Sequence, residues 1–157
     1  MAIRQNLKVA LITVTMLWLV YVLDLLLPID LRLYGLRPRS IDGLWGILAT
    51  PLLHVNFGHL IANSGALFVL LAVSLSFSRK LTTIAILIIV LVGGGLVWLF
   101  GASNTVHIGA SGVIFGLIGF LMFMGVFRRE WKALLFSLAV FFFYGGALLS
   151  FFRLEPG

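Results

Sequence analysis

The chain has no cysteine, and charged residues make up only 10% of its 157 residues. Without cysteine there is no disulfide framework and no thiolate metal site, although the absence says nothing about redox compartment. A soluble domain carries about a quarter charged residues on its wetted surface. So little charge, with 62% hydrophobic residues and a mean hydropathy of +1.19, excludes that design. Internal repeats and low-complexity stretches are also lacking. What is present is long apolar runs with basic residues at their ends. The net charge of +6 therefore reads as the positive-inside pattern of a polytopic membrane protein rather than as a nucleic-acid interface.

Five apolar runs are visible, at about 7–27, 57–77, 81–100, 110–127 and 133–152. They predict an all-α, polytopic helical bundle with five transmembrane helices and a cytoplasmic N-terminus, one domain over 1–157. The first run has no small-x-small cleavage site before Pro28 and is long for a signal peptide, so it reads as a retained span. Asp24, near its outer end, reads as interfacial. Residues 28–56 mix Asp30, Arg32, Arg37, Arg39 and Asp42 with Leu33, Leu36, Leu44 and Trp45, which suits a loop in the headgroup layer. Asn56 is placed to cap the second helix. Gly93-Gly94-Gly95 marks close helix approach or a local break in the third. With the N-terminus inside, Arg4, Lys8, Arg79, Lys80, Arg128, Arg129 and Lys132 are cytoplasmic, against Arg32, Arg37, Arg39 and Arg153 outside.

The fourth run opens with His107-Ile108-Gly109-Ala110-Ser111-Gly112, a serine framed by glycines. Gly109 can take dihedrals closed to other residues, and a helix beginning near Ser111 aims its free N–H groups outward. A nucleophile and an oxyanion donor can be built from one such turn. The plainer alternative is that Gly112, Gly116 and Gly119 form a small-residue face for helix packing.

Depth favours the chemical reading. Ser111 lies about 25 Å above Arg128, and Asn63 about 24 Å above Arg79, at 1.5 Å per helical residue. With about 30 Å of hydrocarbon, both sit a few ångströms below the outer surface. His59 is one turn above Asn63 on the same face. Polar side chains at such depth face a bundle interior or a water-filled cavity. The alternative is that they only tie helices together.

The pair of motifs His54-Val55-Asn56-Phe57-Gly58-His59-Leu60-Ile61-Ala62-Asn63 and Gly109-Ala110-Ser111-Gly112 resembles the rhomboid intramembrane serine proteases, over nearly the whole chain. The resemblance implies a Ser–His dyad with Ser111 as nucleophile. It implies an oxyanion site of His59, Asn63 and the Ser111 N–H, with His54 holding the first loop to the second span and Gly109 and Gly112 supporting the serine. The loop segment 34–39 lacks the Trp-Arg pair of some members, so no loop contact is carried over. The implied partners are the lipid bilayer and single-span membrane protein substrates, cut near their outer end at a small residue. No metal or organic cofactor and no nucleic acid are implied; the compact N-in layout by itself predicts a bacterial inner membrane, with the site opening outward.

The family's general base is a histidine on a sixth span, which this chain does not contain. The expectation is a C-terminally incomplete six-span domain whose 157 residues alone have negligible activity. His107, four residues before Ser111, is a weak substitute base, since helical spacing across Gly109 is not assured. Two rival functions are a non-proteolytic rhomboid-like pseudoenzyme that binds membrane clients, and a metal-dependent protein built on His54, His59 and His107. The second is disfavoured by spacing, because His54 and His59 lie about 140° apart round a helix and no carboxylate joins them.

Overall fold

The computed structural model describes residues 2–153, with side-chain surroundings for residues 3–146. Its elements are α1 (Ala2–Leu26), 3-10 turns at Leu31–Tyr34 and Asp42–Leu44, α2 (Gly46–Ala49), a 3-10 turn at Thr50–Leu52, and α3 (Phe57–Phe77). Then come α4 (Arg79–Ile88), a π-helical segment (Ile89–Gly93), α5 (Gly94–Phe100), α6 (Ser111–Phe127) and α7 (Trp131–Arg153). An isolated antiparallel bridge joins Leu36 to His107.

Local chemistry sets the boundaries of α3. Asn56 is extended, and its side-chain oxygen accepts from the His59 N–H at 2.8 Å, satisfying one donor of the first turn. At the other end Ser78 leaves the helical region, and its hydroxyl accepts from the Leu81 N–H to start α4. Leu60, Leu67 and Leu71 recur on one face of α3, and Ile114, Leu117 and Leu121 on one face of α6; all are buried in a single core. Helix α1 packs on α3, adding Ala10 and Leu17 to that core and a hydrogen bond from Trp18 Nε1 to Ser64 Oγ at 3.0 Å. Helix α7 packs on both α6 and α3. Where α3 turns into α4, Arg79 donates to Asn6 Oδ1 at 2.7 Å and Gln5 Oε1 at 3.0 Å, clasping the start of α1.

Much of the outer surface is apolar. Leu11, Ile12, Met16 and Leu19 of α1 are exposed, as are Leu87, Ile88, Leu91 and Val92 along α4 and the π segment. Contiguous exposed faces of this kind belong in lipid.

The expected count of five transmembrane helices is corrected by the helix lengths. Among the described residues three helices are long and apolar enough to cross a membrane: Ile3–Leu26, Phe57–Phe77 and Arg79–Phe100. Helix α6 is only 17 residues, about 25 Å at 1.5 Å per residue, short of about 30 Å of hydrocarbon. It cannot begin earlier, because Gly109 sits at φ +113°, and it ends before Arg129 at φ 55°. The described apolar stretch of the next helix, Trp131–Gly146, is shorter still. Residues 154–157, placed outside the membrane by the sequence reading, lie outside the described residues.

Of Gly93-Gly94-Gly95 only Gly94 makes a close approach, and the helix runs on from Arg79 to Phe100 with a π-helical segment rather than a break. The helix changes to π geometry up to Gly93, and a Cβ on Gly94 would lie 2.9 Å from Ile47 Cγ2, so the first loop packs closely there.

Candidate active site

The serine turn is built on Gly109. Its φ of +113° lies in a region that other residues avoid, and a Cβ there would stand 2.6 Å from His59 Cε1. Glycine thus lets the turn lie directly against the His59 ring. The Gly109 N–H donates to the Thr50 carbonyl at 2.9 Å, so the chain enters α6 tied to the first loop. Ala110 is the N-cap and offers no side-chain acceptor. The first N–H groups of α6, from Ser111 onward, therefore have no carbonyl within their own helix and no cap. They carry the positive end of the helix dipole.

Ser111, His59, Gly109, Gly112 and His107 line one open cavity of about 1050 Å³. Its remaining wall is largely apolar, with Ile47, Ile89, Val90, Val97 and Phe115. It lies where α3 and α6 begin, at the opposite end of α3 from the Arg79 clasp. Its size is at the upper end for small-ligand sites and leaves room for an extended peptide segment.

Asn63 is placed differently. It is fully buried and does not line the cavity. Its Nδ2 donates to the His59 carbonyl at 2.7 Å, and its Oδ1 accepts from the Tyr144 hydroxyl of α7 at 2.9 Å. The amide still holds one unused N–H, since Nδ2 carries two. Tyr144 also stacks edge-on against Phe115, one turn after Ser111. In the sequence Tyr144 is announced only by a hydroxyl among the phenylalanines of α7.

His54 is buried, with Nδ1 donating to the Leu52 carbonyl at 3.2 Å and Nε2 without a partner. Burial lowers its pKa to about 4, so the ring is neutral. It meets His59 edge-on with ring centroids 5.3 Å apart. His107 pairs its backbone with Leu36, and its Nε2 lies 3.1 Å from Thr105 Oγ1. No group of three or more metal-binding side chains converges among the described residues.

The glycines of α6 differ in their surroundings. A Cβ on Gly116 would be 2.6 Å from Ile89, so this one is required by packing. A Cβ on Gly112 or Gly119 would meet nothing within 4 Å, and Gly112 faces the cavity.

The rhomboid domain family matches residues 42–155, and this chain belongs to that family of intramembrane serine proteases. It is 42% identical over 144 residues to an uncharacterized protein of Mycobacterium tuberculosis, covering 87% of this chain and 59% of the relative. An uncharacterized protein of Mycobacterium leprae is 40% identical over 143 residues, 86% of this chain and 55% of that one. A protein of Bacillus subtilis named as a putative rhomboid protease is 41% identical over 95 residues, 57% of this chain and 46% of the relative. The chain thus spans a little over half the length of the mycobacterial relatives it matches. No solved structure matches it. The apolar helices and the bacterial relatives are consistent with a bacterial integral membrane protein.

Proposed function

We propose that this chain carries the nucleophile and oxyanion site of an intramembrane serine endopeptidase that cuts single-span membrane proteins. The observation that carries the reading is the meeting of the Ser111 turn and the His59 ring at Gly109, both facing one cavity. In this reading Ser111 Oγ attacks a substrate carbonyl, and the new oxyanion takes hydrogen bonds from the uncapped Ser111 N–H and from His59. Asn63, buried outside the cavity, supports His59 through the bond from its Nδ2 to the His59 carbonyl and does not itself reach the oxyanion. Gly112 keeps the cavity open beside the nucleophile, and His54 supports His59 through their ring contact.

The proton of Ser111 needs a base, and the chain's own histidines are otherwise placed. His54 is buried in the loop, His107 is held by Thr105, and His59 is assigned to the oxyanion. We assign the base to a histidine outside these 157 residues, for which the greater length of the relatives leaves room. The 157 residues act as part of one rhomboid-type domain. A shallow cavity serves the chemistry because hydrolysis needs water, which hydrocarbon excludes. A substrate helix must also unwind to expose a carbonyl that its own hydrogen bonds conceal.

The test uses the full-length protein in liposomes with a single-span substrate. Cleavage that disappears in Ser111→Ala is the expected result. Cleavage that persists in that variant sinks the reading, and absence of cleavage by the wild type moves the protein to client binding without proteolysis.

A further inference from the structure

Three hydrogen bonds of Thr50 converge on the approach to the serine, beside two within the helical turns of its own loop, to the Gly46 carbonyl and from the Leu53 N–H. Its hydroxyl donates to the His107 carbonyl at 2.9 Å and accepts from the Leu36 N–H at 3.0 Å. Its own carbonyl accepts from the Gly109 N–H at 2.9 Å and from the Leu53 N–H at 3.2 Å. Leu36 and His107 pair reciprocally, at 3.0 and 2.8 Å. The peptides of His107 and Gly109 are thus both fixed by one residue of the first loop. Packing leaves this junction little freedom. A Cβ on Gly35 would stand 2.5 Å from Ile108 Cγ2, and one on Gly46 would stand 2.2 Å from the Leu36 nitrogen.

We propose that Thr50 is the positioning residue of the serine turn, setting the direction in which Ser111 Oγ and the Ser111 N–H enter the cavity. The inference rests on the protease reading above. Gly109 at φ +113° is the joint that aims α6, and glycine by itself selects no single dihedral there. The bond from its N–H to the Thr50 carbonyl selects one, and the Thr50 hydroxyl, on the His107 carbonyl and the Leu36 N–H, holds the loop and the turn in the register that bond needs. The same bond uses up the Gly109 N–H as a donor, leaving the Ser111 N–H to face the oxyanion.

The experiment compares Thr50→Val, Thr50→Ser and Arg39→Met in the full-length protein. Arg39 anchors the same loop elsewhere, through Ser103 and the Leu99 carbonyl, away from the serine. Two readouts are taken: kcat and KM for a single-span substrate, and amide hydrogen exchange of residues 107–112. Thr50→Val should lower kcat about 10- to 100-fold at nearly constant KM, the effect of a small misalignment of reacting groups. It should raise exchange in 107–112, while Thr50→Ser restores both and Arg39→Met changes neither. Unchanged exchange in Thr50→Val, or an equal kcat loss in Arg39→Met, overturns the proposal. If the wild type does not cleave, the protease reading fails, and the exchange measurement alone decides whether Thr50 orders the turn.

Discussion

At the scale of single residues, the same amino acid serves different ends within one helix turn or two. Gly109 is needed for its dihedral and for the His59 ring beneath it, Gly116 for Ile89, and Gly112 for the empty space beside Ser111. A sequence displays these as one glycine series, and only the neighbours separate them. His54 gives a residue-scale prediction. Its folded pKa is about 4 against an ordinary 6.5, because burial disfavours the charged ring. Between those values the unfolded chain binds more protons than the folded one, so the contribution of neutral His54 is complete above pH 6.5 and is lost as pH falls towards 4. The loss is on the order of 3 kcal/mol. Denaturant unfolding in detergent from pH 7.5 to 4 should show stability falling across this window, and His54→Gln should flatten the slope. An equally steep slope in His54→Gln would remove His54 as its source.

At the scale of elements, α7 reaches the site through Tyr144, although its sequence suggests only a greasy span. The phenol donates to Asn63 Oδ1, while Asn63 Nδ2 donates to the carbonyl of His59. Two helices, α7 and α3, therefore share one buried polar chain with the cavity at its end. Tyr144→Phe keeps the ring against Phe115 but strands a fully buried carbonyl oxygen, a loss of about 1–3 kcal/mol. Unfolding in detergent should register that loss, and no change would mean that the bond contributes nothing. The limits of α3 are legible in the sequence because Asn56 and Ser78 act locally, each through a side-chain oxygen on a nearby N–H. The serine turn is legible for the same reason, since Gly109 announces a backbone few residues share. The shortness of α6 is not. An apolar run ending at Arg128 looks like a span, and its helical length is set by the Gly109 turn at one end and by Arg129 at the other. Nor are Tyr144 and Thr50, whose partners lie 81 and 57 residues away. Contacts between distant residues leave no periodicity to read.

At the scale of the whole molecule, seven of the basic residues lie at the end opposite the cavity, against Arg32, Arg37 and Arg39 in the loop at the cavity end. Arg4 and Lys8 sit near the start of α1, Arg79 and Lys80 at the α3–α4 turn, Arg128 and Arg129 between α6 and α7, and Lys132 in the first turn of α7. The Asn6–Arg79 clasp joins the first two of these groups directly. The cavity lies where α3 and α6 begin, away from all seven cations. By the positive-inside rule, which keeps lysine and arginine on the cytoplasmic side, this arrangement predicts a cavity that opens outward, with a water route to Ser111. The absence of cysteine makes it directly testable, because any thiol introduced is the chain's only one. Ala102→Cys lies in the exposed connection beside the cavity, and Lys132→Cys lies in the exposed basic turn at the far end. A membrane-impermeant maleimide added to intact cells should label Ala102→Cys at once and Lys132→Cys only after permeabilisation. The reverse order would turn the cavity towards the cytoplasm and count against the proposed cleavage of single-span substrates near their outer end.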